Sequence, residues 1–219
     1  MIPDVGLIMV CAGRGKRLGY KDKAFLKLKG KPLFLHAFKA FRKFKRIKQI
    51  VFVFRESQIR SAQFLVKDSR AFFVKGGKHR KDSVLCGLKS LGKDIKYVLI
   101  HDGARPLVSG KIIRGVLAGL KRYPAVIPAV GAGDTVKAAN KGFITKTLDR
   151  RAIFLAQTPQ GFKKDVLLKA FQKFKRKALT DDAQFIERLG RKVKIVEGSR
   201  YNIKITYPQD LKLAEALLK

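Results

Sequence analysis

The sequence predicts an α/β fold in which a mostly parallel, twisted sheet is flanked by helices. Short apolar runs of strand length alternate along the chain with segments whose apolar residues recur at helical spacing. Such alternation is typical of strand–helix–strand units, whose right-handed crossovers leave successive strands parallel. Glycines or polar residues directly follow several of the apolar runs. Because ligands of parallel sheets bind at the carboxyl ends of strands, we expect one ligand site at that edge.

The individual elements are predicted from apolar patterning along the chain. Strands are expected where apolar residues run together between turn signals, and helices where they recur at helical spacing. Pro32 suits the first turn of the first helix. The predicted strands are the run that begins at Val5, then 47–54, 71–74, 97–100, 125–130 and 193–196. The predicted helices are one from Pro32, 56–66, one from Ser83, 109–121, 163–177, 181–189 and one from 208.

Composition predicts a folded, soluble protein. Hydrophobic residues make up 46% of the 219 positions and include 16 phenylalanines, which excludes a disordered chain. No apolar run reaches the roughly 18 residues of a membrane span, and Asp4 stands where a signal peptide would have lysine. Cys11 and Cys86 both lie in apolar surroundings, as reduced buried thiols do. We therefore expect a cytoplasmic protein, with residues 1–219 in one domain.

The net charge of +34 is the most unusual global feature. Such an excess of lysine and arginine favours binding to polyanions, above all nucleic acids. The cations are nevertheless spread along the whole chain, as on a lysine-rich solvated surface, and no motif of a known nucleic-acid-binding module is present. We therefore expect incidental, salt-sensitive binding to nucleic acids and no specific nucleic-acid partner.

The segment after the first predicted strand has the composition of a polyphosphate site. Gly13 and Gly15 allow close approach of the backbone to a ligand, and Lys16, Arg17 and Lys23 add positive charge there. The segment is not a Walker A motif. It is also not the dinucleotide-binding fingerprint G-x-G-x-x-G, which would require a third glycine at position 18, whereas this chain has Gly19. The alternative is an ordinary turn with solvated lysines.

The alternation of strands and helices breaks after residue 130. Two short segments, 134–137 and 143–145, lie on either side of the turn-like sequence 140–142, which predicts a β-hairpin arm over 131–152. An arm that cannot be buried on its own domain is a candidate for packing on a second subunit. The alternative is a solvated surface hairpin.

Seven short motifs, in a fixed order, resemble those of one known family. They are Ala12-Gly13-x-Gly15-x-Arg17 with Lys23; Gly76-Gly77-x-x-Arg80-x-Asp82-Ser83-Val84; His101-Asp102-x-Ala104-Arg105-Pro106; Asp134-Thr135-Val136-Lys137; Asp149-Arg150 with Ala156-Gln157-Thr158-Pro159-Gln160-x-Phe162; Thr180-Asp181-Asp182-Ala183; and Val196-Glu197-Gly198-Ser199 with Asn202-Ile203-Lys204-Ile205-Thr206. Over essentially its whole length the chain resembles the 2-C-methyl-D-erythritol 4-phosphate cytidylyltransferases of the non-mevalonate isoprenoid pathway, which have a Rossmann-like nucleotidyltransferase fold. The resemblance implies that a substrate phosphate attacks the α-phosphorus of CTP and releases pyrophosphate.

The resemblance also implies a role for individual residues. Arg17 and Lys23 would be the catalytic cations, and Asp102 would lie near a magnesium ion or another divalent cation, unless it only caps its loop. Nucleotide contacts are implied for Ala12, Gly13, Gly15, Lys16, Gly77, Arg80, Ser83 and Asp102. Contacts with the methylerythritol phosphate are implied for Asp102, Arg105, Thr135, Arg150, Thr158 and Lys204. In this family the arm reaches across a homodimer, so Thr135 and Arg150 would serve the partner's site.

Two departures from the family pattern concern the loop that carries Lys23. Asp22 stands where the family usually has proline, and the spacing from Arg17 to Lys23 is one residue shorter than usual. A shortened loop could displace Lys23. Within the same fold, the alternative activity is that of a ribitol-5-phosphate cytidylyltransferase, and a more distant alternative is a nucleic-acid-binding module.

Overall fold

A computed structural model of the chain describes residues 4–218 apart from 14, 20, 21, 176 and 178, and describes only the backbone of Lys16. Its central sheet has eight described strands in the order β10-β7-β11-β6-β1-β4-β5, with β12 also paired to β7. The strands of this sheet are β1 (Val5–Val10), β4 (Ile47–Phe54), β5 (Ala71–Lys75), β6 (Tyr97–Asp102), β7 (Ala125–Gly131), β10 (Phe154–Ala156), β11 (Gln160–Lys163) and β12 (Lys194–Glu197). Two further pairs lie outside it, β2 (Lys27–Leu28) with β3 (Lys31–Pro32) and β8 (Val136–Asn140) with β9 (Phe143–Leu148).

Most pairings in the central sheet are parallel, as the sequence predicts. Strand β1 pairs in parallel with β4 and β6, β4 with β5, and β7 with β12. Strands β10 and β11 are antiparallel to β7, and β11 is also antiparallel to β6. The carboxyl ends of β1, β4, β5 and β6 therefore lie along one edge of the sheet, where ligands of α/β proteins bind.

Helices cover both faces of the sheet. The helices are α1 (Leu33–Phe41), α2 (Glu56–Leu65), α3 (Arg80–Lys89), α4 (Gly110–Gly119), α5 (Lys164–Lys173), α6 (Ala183–Arg188) and α7 (Pro208–Leu217). One core is formed with α1, α2 and α4 and the other with α3, α5 and α6. Successive residues of β1 alternate between them, since Leu7 and Met9 belong to the first core and Ile8 to the second. A strand buried on both faces reads as a continuous apolar run, and this explains why β1 could be located from sequence.

The predicted arm is a hairpin formed by β8 and β9, whose residues are mostly exposed. Phe143 and Ile144 are 79% and 66% exposed, although both are large and apolar. The turn between the strands has a positive φ at Lys141 and Gly142. The arm therefore makes almost no hydrophobic core with the rest of its own chain.

The antiparallel strands β10 and β11 are the main element that the sequence did not predict. Strand β11 is inserted between β6 and β7, and its Phe162 is fully buried. Its sequence, Gln160-Gly161-Phe162-Lys163, has neither a long apolar run nor clear alternation, so only pairing on both sides makes it a strand.

Helix α3 begins three residues before its predicted start, because Asp82 accepts a hydrogen bond from the backbone N–H of His79.

No helix in the described part of the chain is long and apolar enough to cross a membrane.

Candidate active site

A cleft of about 400 Å³ opens at the carboxyl edge of the sheet. Its walls include Ala12 and Gly13 after β1, Gly76 and Gly77 after β5, and Asp102 at the end of β6. Three of the motifs identified in the sequence, which begin near the ends of β1, β5 and β6, thus meet at one place. The parallel strands bring them together, because β1 lies between β4 and β6 in the sheet.

The loop after β1 leaves its backbone accessible to a ligand. The Cα of Gly13 faces open space, since a Cβ built there would have no heavy atom within 4 Å. Gly15 has a φ of 62°, a conformation that favours glycine, and its carbonyl accepts a hydrogen bond from Leu18 N at 2.8 Å. The predicted contact of the Lys16 side chain with the nucleotide lies outside the described residues.

Arg17 lies beside this cleft and does not belong to the described residues that line it. Its guanidinium carbon lies 5.6 Å from the ring centroid of Tyr207, which precedes α7. The side chain is exposed, and its charge is close enough to contribute to lowering the pKa of Lys23. Arg17 can therefore meet an anion that extends out of the cleft towards α7.

Lys23 lines the cleft in spite of the shortened loop before it. The pKa of its ammonium is lowered to about 8, mainly by burial and also by the nearby Lys204 and Arg17, while Asp102 partly opposes the shift. The contributions of Lys204 and Arg17 reflect cations that lie close to one another. Such a cluster favours a strongly anionic ligand, because each phosphate charge would relieve the repulsion between the cations.

Close packing at Gly77 joins the loop after β5 to helix α3. A Cβ at Gly77 would lie 2.3 Å from Cβ of Asp82, so only glycine fits there. The backbone N–H of Gly77 donates to Oγ of Ser83 at 3.2 Å, and that hydroxyl donates to the carbonyl of His79 at 3.3 Å. The Ser83 hydroxyl therefore also shapes the loop, in addition to the nucleotide contact predicted for it.

Asp102 is the buried anion among the cations of the cleft. Its Oδ1 lies 3.1 Å from Nε of Arg80, and its Oδ2 lies 2.6 Å from Nζ of Lys204. Burial alone would raise the pKa of the Asp102 carboxyl, but Arg80 and Lys204 hold it well below its usual range. The ionised carboxylate thereby fixes two cations that come from distant parts of the chain.

Arg80 makes a second ion pair with a carboxylate to which the sequence assigned no role. Its Nη1 lies 2.8 Å from Oδ2 of Asp182, a residue only 1% exposed. Burial raises the pKa of Asp182, and Arg80 opposes that rise. Asp182 belongs to the Thr180–Ala183 motif, so the motif itself was the available signal. The pair fixes the start of α3 against the loop before α6.

A chain of hydrogen bonds behind Asp102 joins it to the fully buried His101. Burial lowers the pKa of His101 to about 4, so the ring is neutral at pH 7. With the proton assigned to Nε2, the ring donates to the carbonyl of Arg105 at 3.2 Å, and Nδ1 accepts from the Thr158 hydroxyl at 3.0 Å. Thr158 Oγ1 in turn accepts from the backbone N–H of Asp102 at 3.1 Å. Thr158, predicted to contact substrate, is 5% exposed and supports Asp102 from behind.

Arg105 links the same loop to the segment that carries Lys204. It donates to the carbonyl of Asn202 at 2.7 Å, and Asn202 donates through its amide to the carbonyl of Thr158 at 2.9 Å. Asn202 is fully buried. These bonds hold the backbone two residues before Lys204 and so direct that lysine towards Asp102.

The two predicted site residues of the arm lie apart from this cleft. Thr135 and Arg150 are exposed, and neither is among the described residues that line it. Arg150 donates to the carbonyl of Gly133 at 2.9 Å, within the arm. Within one chain, therefore, the structure does not bring the arm residues to the cations of the cleft.

The donor set of the cleft limits the kind of metal that it could hold. In the described ranges no group of three or more His, Cys, Asp or Glu side chains is placed to bind a metal. Asp102 is the carboxylate that pairs with both Arg80 and Lys204 in the cleft, and carboxylate oxygen suits Mg²⁺. Because Mg²⁺ is commonly bound by one or two carboxylates together with substrate phosphates, the residues fit a magnesium ion that a polyphosphate ligand brings.

A mostly parallel α/β sheet, a glycine-rich loop after its first strand and a cationic cleft at its carboxyl edge define a Rossmann-like phosphate-binding protein. The family model described as 2-C-methyl-D-erythritol 4-phosphate cytidylyltransferase matches residues 5–219. A relative of that name from Bacillus mycoides (strain KBAB4) is 41% identical over 219 residues, which cover 97% of this chain and 96% of the relative. The chain belongs to the 2-C-methyl-D-erythritol 4-phosphate cytidylyltransferase family.

Solved structures agree with the sequence comparison. The 4-diphosphocytidyl-2C-methyl-D-erythritol synthase of Anaerococcus prevotii DSM 20548 superposes with a TM-score of 0.90 at 30% identity, over 99% of this chain and 96% of that one. The 2-C-methyl-D-erythritol 4-phosphate cytidylyltransferase of Thermus thermophilus superposes with a TM-score of 0.81 at 32% identity, over 98% of both chains. The fold class predicted from the sequence is thereby confirmed.

Proposed function

We propose that this chain is a cytidylyltransferase that converts CTP and 2-C-methyl-D-erythritol 4-phosphate to 4-diphosphocytidyl-2-C-methyl-D-erythritol and pyrophosphate. The observation that supports this most directly is the convergence of Lys23, Arg80 and Lys204 on one cleft beside the glycine-rich loop. Asp102 holds two of these cations through ion pairs. Membership of the family gives the substrates, and the cleft has the charge that two phosphorylated substrates require.

The reaction needs charge neutralisation far more than proton transfer. A phosphate monoester has a second pKa of about 6, so it is already an anionic nucleophile at pH 7. One of its oxygens attacks the α-phosphorus of CTP, and the bond breaks between that phosphorus and the oxygen that bridges it to the β-phosphorus. Pyrophosphate leaves with the electron pair. Both reactants are anions, so cations must bring them together and stabilise the charge on the transferring group.

Arg17 and Lys23 are proposed as the catalytic cations, on the triphosphate and on the transition state. Lys23 is suited to this because it lines the cleft, and it is mostly protonated at pH 7 with a pKa of about 8. The backbone at Ala12, Gly13 and Gly15 would bind phosphates. Gly77, Ser83 and Arg80 would approach the nucleoside.

Lys204, Arg105 and Asp102 are proposed for the polyol phosphate, with Thr158 acting from behind Asp102. Lys204 is suited to the phosphate because its ammonium is partly exposed while Asp102 orients it. Asp102 would also hold a magnesium ion, which would supply further neutralisation of the triphosphate. None of these assignments requires an acid–base dyad.

A homodimer would complete the site through the arm. Thr135 and Arg150 lie on an arm that leaves large apolar residues exposed, among them Phe143 and Ile144. Packing against a second copy would bury them and would carry Arg150 to the partner's polyol phosphate. Further exposed apolar residues, Phe154 and Leu155, lie in β10 at the base of the arm.

A pyrophosphate-release assay tests the proposed function. The purified protein is supplied with CTP, UTP, ATP or GTP, each with 2-C-methyl-D-erythritol 4-phosphate or with ribitol 5-phosphate, in the presence of Mg²⁺. We expect turnover with CTP and the methylerythritol phosphate, at a kcat/KM well above that of every other pair. A preference for ribitol 5-phosphate would overturn the substrate assignment, and no turnover with any pair would overturn the activity.

A further inference from the structure

Asp22, the residue directly before Lys23, makes contacts that its position in the chain does not require. It occupies the N-cap of the short 3₁₀ turn Lys23–Phe25, yet its side chain makes no capping hydrogen bond to that turn. Its Oδ1 instead accepts a hydrogen bond from Nε2 of Gln58 at 2.8 Å and forms an ion pair with Nη2 of Arg55. The carboxylate therefore points away from its own turn and towards the start of α2.

The groups that Asp22 binds lie at the start of α2, directly after the buried strand β4. Gln58 is only 5% exposed and lies in the first turn of α2, where its Oε1 also accepts from the backbone N–H of Arg55 at 3.3 Å. Arg55 directly follows β4, whose residues from Ile50 to Phe54 are fully buried. The Asp22 side chain itself is 57% exposed, so its contacts are not needed to fill the core.

The other side of Lys23 is anchored by hydrophobic packing. Ala24 is buried, and the Phe25 ring packs against those of Phe34 and Phe54, with centroids 5.4 and 5.6 Å away. The backbone N–H of Phe25 donates to the carbonyl of Asp22 at 2.9 Å. Lys23 and Ala24, which both line the cleft, thus lie between a polar tether at Asp22 and an apolar anchor at Phe25.

We propose that Asp22 is a positioning residue that holds Lys23 in the cleft through Gln58 and Arg55. The inference rests on the proposed function for the role of Lys23, and the tether itself is independent of that role. An exposed ion pair adds little to global stability. Its value here is geometric, because displacement of a catalytic group by 1 Å can lower a rate by about 100-fold.

The test compares Asp22→Ala with a matched control, Asp165→Ala, which removes another exposed carboxylate outside the lining of the cleft. We expect Asp22→Ala to lower kcat by about tenfold, with a smaller change in KM for the polyol phosphate. Asp22→Asn keeps an oxygen that can accept from Gln58 and should recover part of the loss. Asp165→Ala should keep the wild-type kcat. All variants should unfold at similar temperatures.

Two readouts separate positioning from a general structural effect. In a Lys23→Ala background, the further change Asp22→Ala should not lower kcat again, because the tether then holds no ammonium. The basic limb of the pH profile of kcat/KM, which reports groups of the free enzyme, should also move to higher pH in Asp22→Ala, since a less buried Lys23 would regain a higher pKa. An equal loss in both backgrounds would show that Asp22 acts through another group, and it would overturn the inference.

Hydrogen exchange keeps the tether testable whatever the enzyme's activity proves to be. The amides of Phe25 and Leu26, which donate to the carbonyls of Asp22 and Lys23, should exchange faster in Asp22→Ala than in wild type. Failure of wild type to turn over CTP would defeat the proposed function and leave this measurement valid. Unchanged exchange together with unchanged kcat would overturn the tether.

Discussion

The cations in and beside the cleft are held by groups of more than one chemical character. Asp102 pairs with Arg80 and Lys204, whereas Arg17 lies over the ring of Tyr207. Lys23 has a lowered pKa because it is half-buried among other cations. A site of this kind stores repulsion that an anionic ligand relieves, so individual cations should matter far more to turnover than to folding.

Arg17→Ala is therefore expected to lower kcat by about 100-fold or more while the fold is retained. The guanidinium is exposed, so its loss removes a positive charge that would stabilise the transferring phosphoryl group and opens no cavity in the core. Steady-state pyrophosphate release and thermal unfolding measure the two effects. Lys48→Ala, at an exposed position of β4, is the matched control. An Arg17→Ala enzyme with near-normal turnover would exclude the proposed role.

His101 makes folding sensitive to mild acid. Its pKa is lowered to about 4 mainly by burial, whereas an unfolded histidine has a pKa of about 6.5. As pH falls through this interval the unfolded state takes up the proton first, so the free energy of unfolding decreases. The expected loss between pH 7 and pH 4 is roughly 3 kcal/mol, from the size of the pKa difference. The lowered pKa of Asp102 adds a further loss below the ordinary carboxyl range.

Urea unfolding at pH 7, 6, 5 and 4 measures this dependence. His101→Asn should be less stable than wild type at pH 7 and should lose much less stability on acidification, because the buried titrating group is absent. His79→Gln, at an exposed position, is the control and should keep the wild-type slope. Equal slopes in wild type and His101→Asn would contradict the assignment.

At the scale of elements, the arm and the strand pair that follows it decide how the site is completed. Strand β11 places Thr158 behind Asp102, although these residues are 56 positions apart. The hairpin of β8 and β9 contributes no described residue to the lining of the cleft, and its apolar residues Phe143 and Ile144 are exposed. The position of Thr158 supports a site within one chain, whereas the exposed apolar residues of the hairpin are suited to a contact between chains.

Mixing of two impaired variants tests the proposed exchange of arms. Arg150→Ala should chiefly raise KM for the polyol phosphate, and Arg17→Ala should lower kcat. If the arms serve partner sites, each mixed dimer contains one intact site. An equimolar mixture after subunit exchange should then show about a quarter of the wild-type activity at low polyol phosphate, because half of its dimers are mixed. Light scattering checks the dimer, and the absence of recovery in proven mixed dimers would refute the exchange.

At the scale of the whole molecule, the charge of +34 surrounds a cleft whose ligands are expected to be anions. A field of this size accelerates the encounter with anions and is screened by salt, with a Debye length of about 10 Å at 0.1 M. Raising NaCl from roughly 0.05 to 0.3 M should therefore lower kcat/KM for CTP several-fold and change kcat less. Steady-state kinetics with sucrose as a neutral control measures this. A kcat/KM that does not depend on salt would contradict a role for the charge.

Much of the architecture could be predicted because its signals are local. Strands β1, β4 and β6 are apolar runs that a sheet covered on both faces requires, and α1 carries a stripe of phenylalanines at helical spacing. Strand β11 could not be predicted, since its four residues become a strand only when β6 and β7 lie on either side. The motif located Lys23 in the sequence. It could not show whether the shortened loop would still place Lys23 in the cleft.

By itself, then, the sequence determined the alternation of strands and helices, the glycine-rich loop after β1 and the order of motifs that marks the family. Only the tertiary structure decided which charges meet. Asp22 binds Arg55 across 33 positions, Asp102 binds Arg80 across 22, and Thr158 meets His101 across 57. Apolar periodicity records which face of an element is buried, and this is a local property. Ion pairs and hydrogen bonds between loops depend on where the crossovers bring the strand ends, and no short stretch of sequence contains that information.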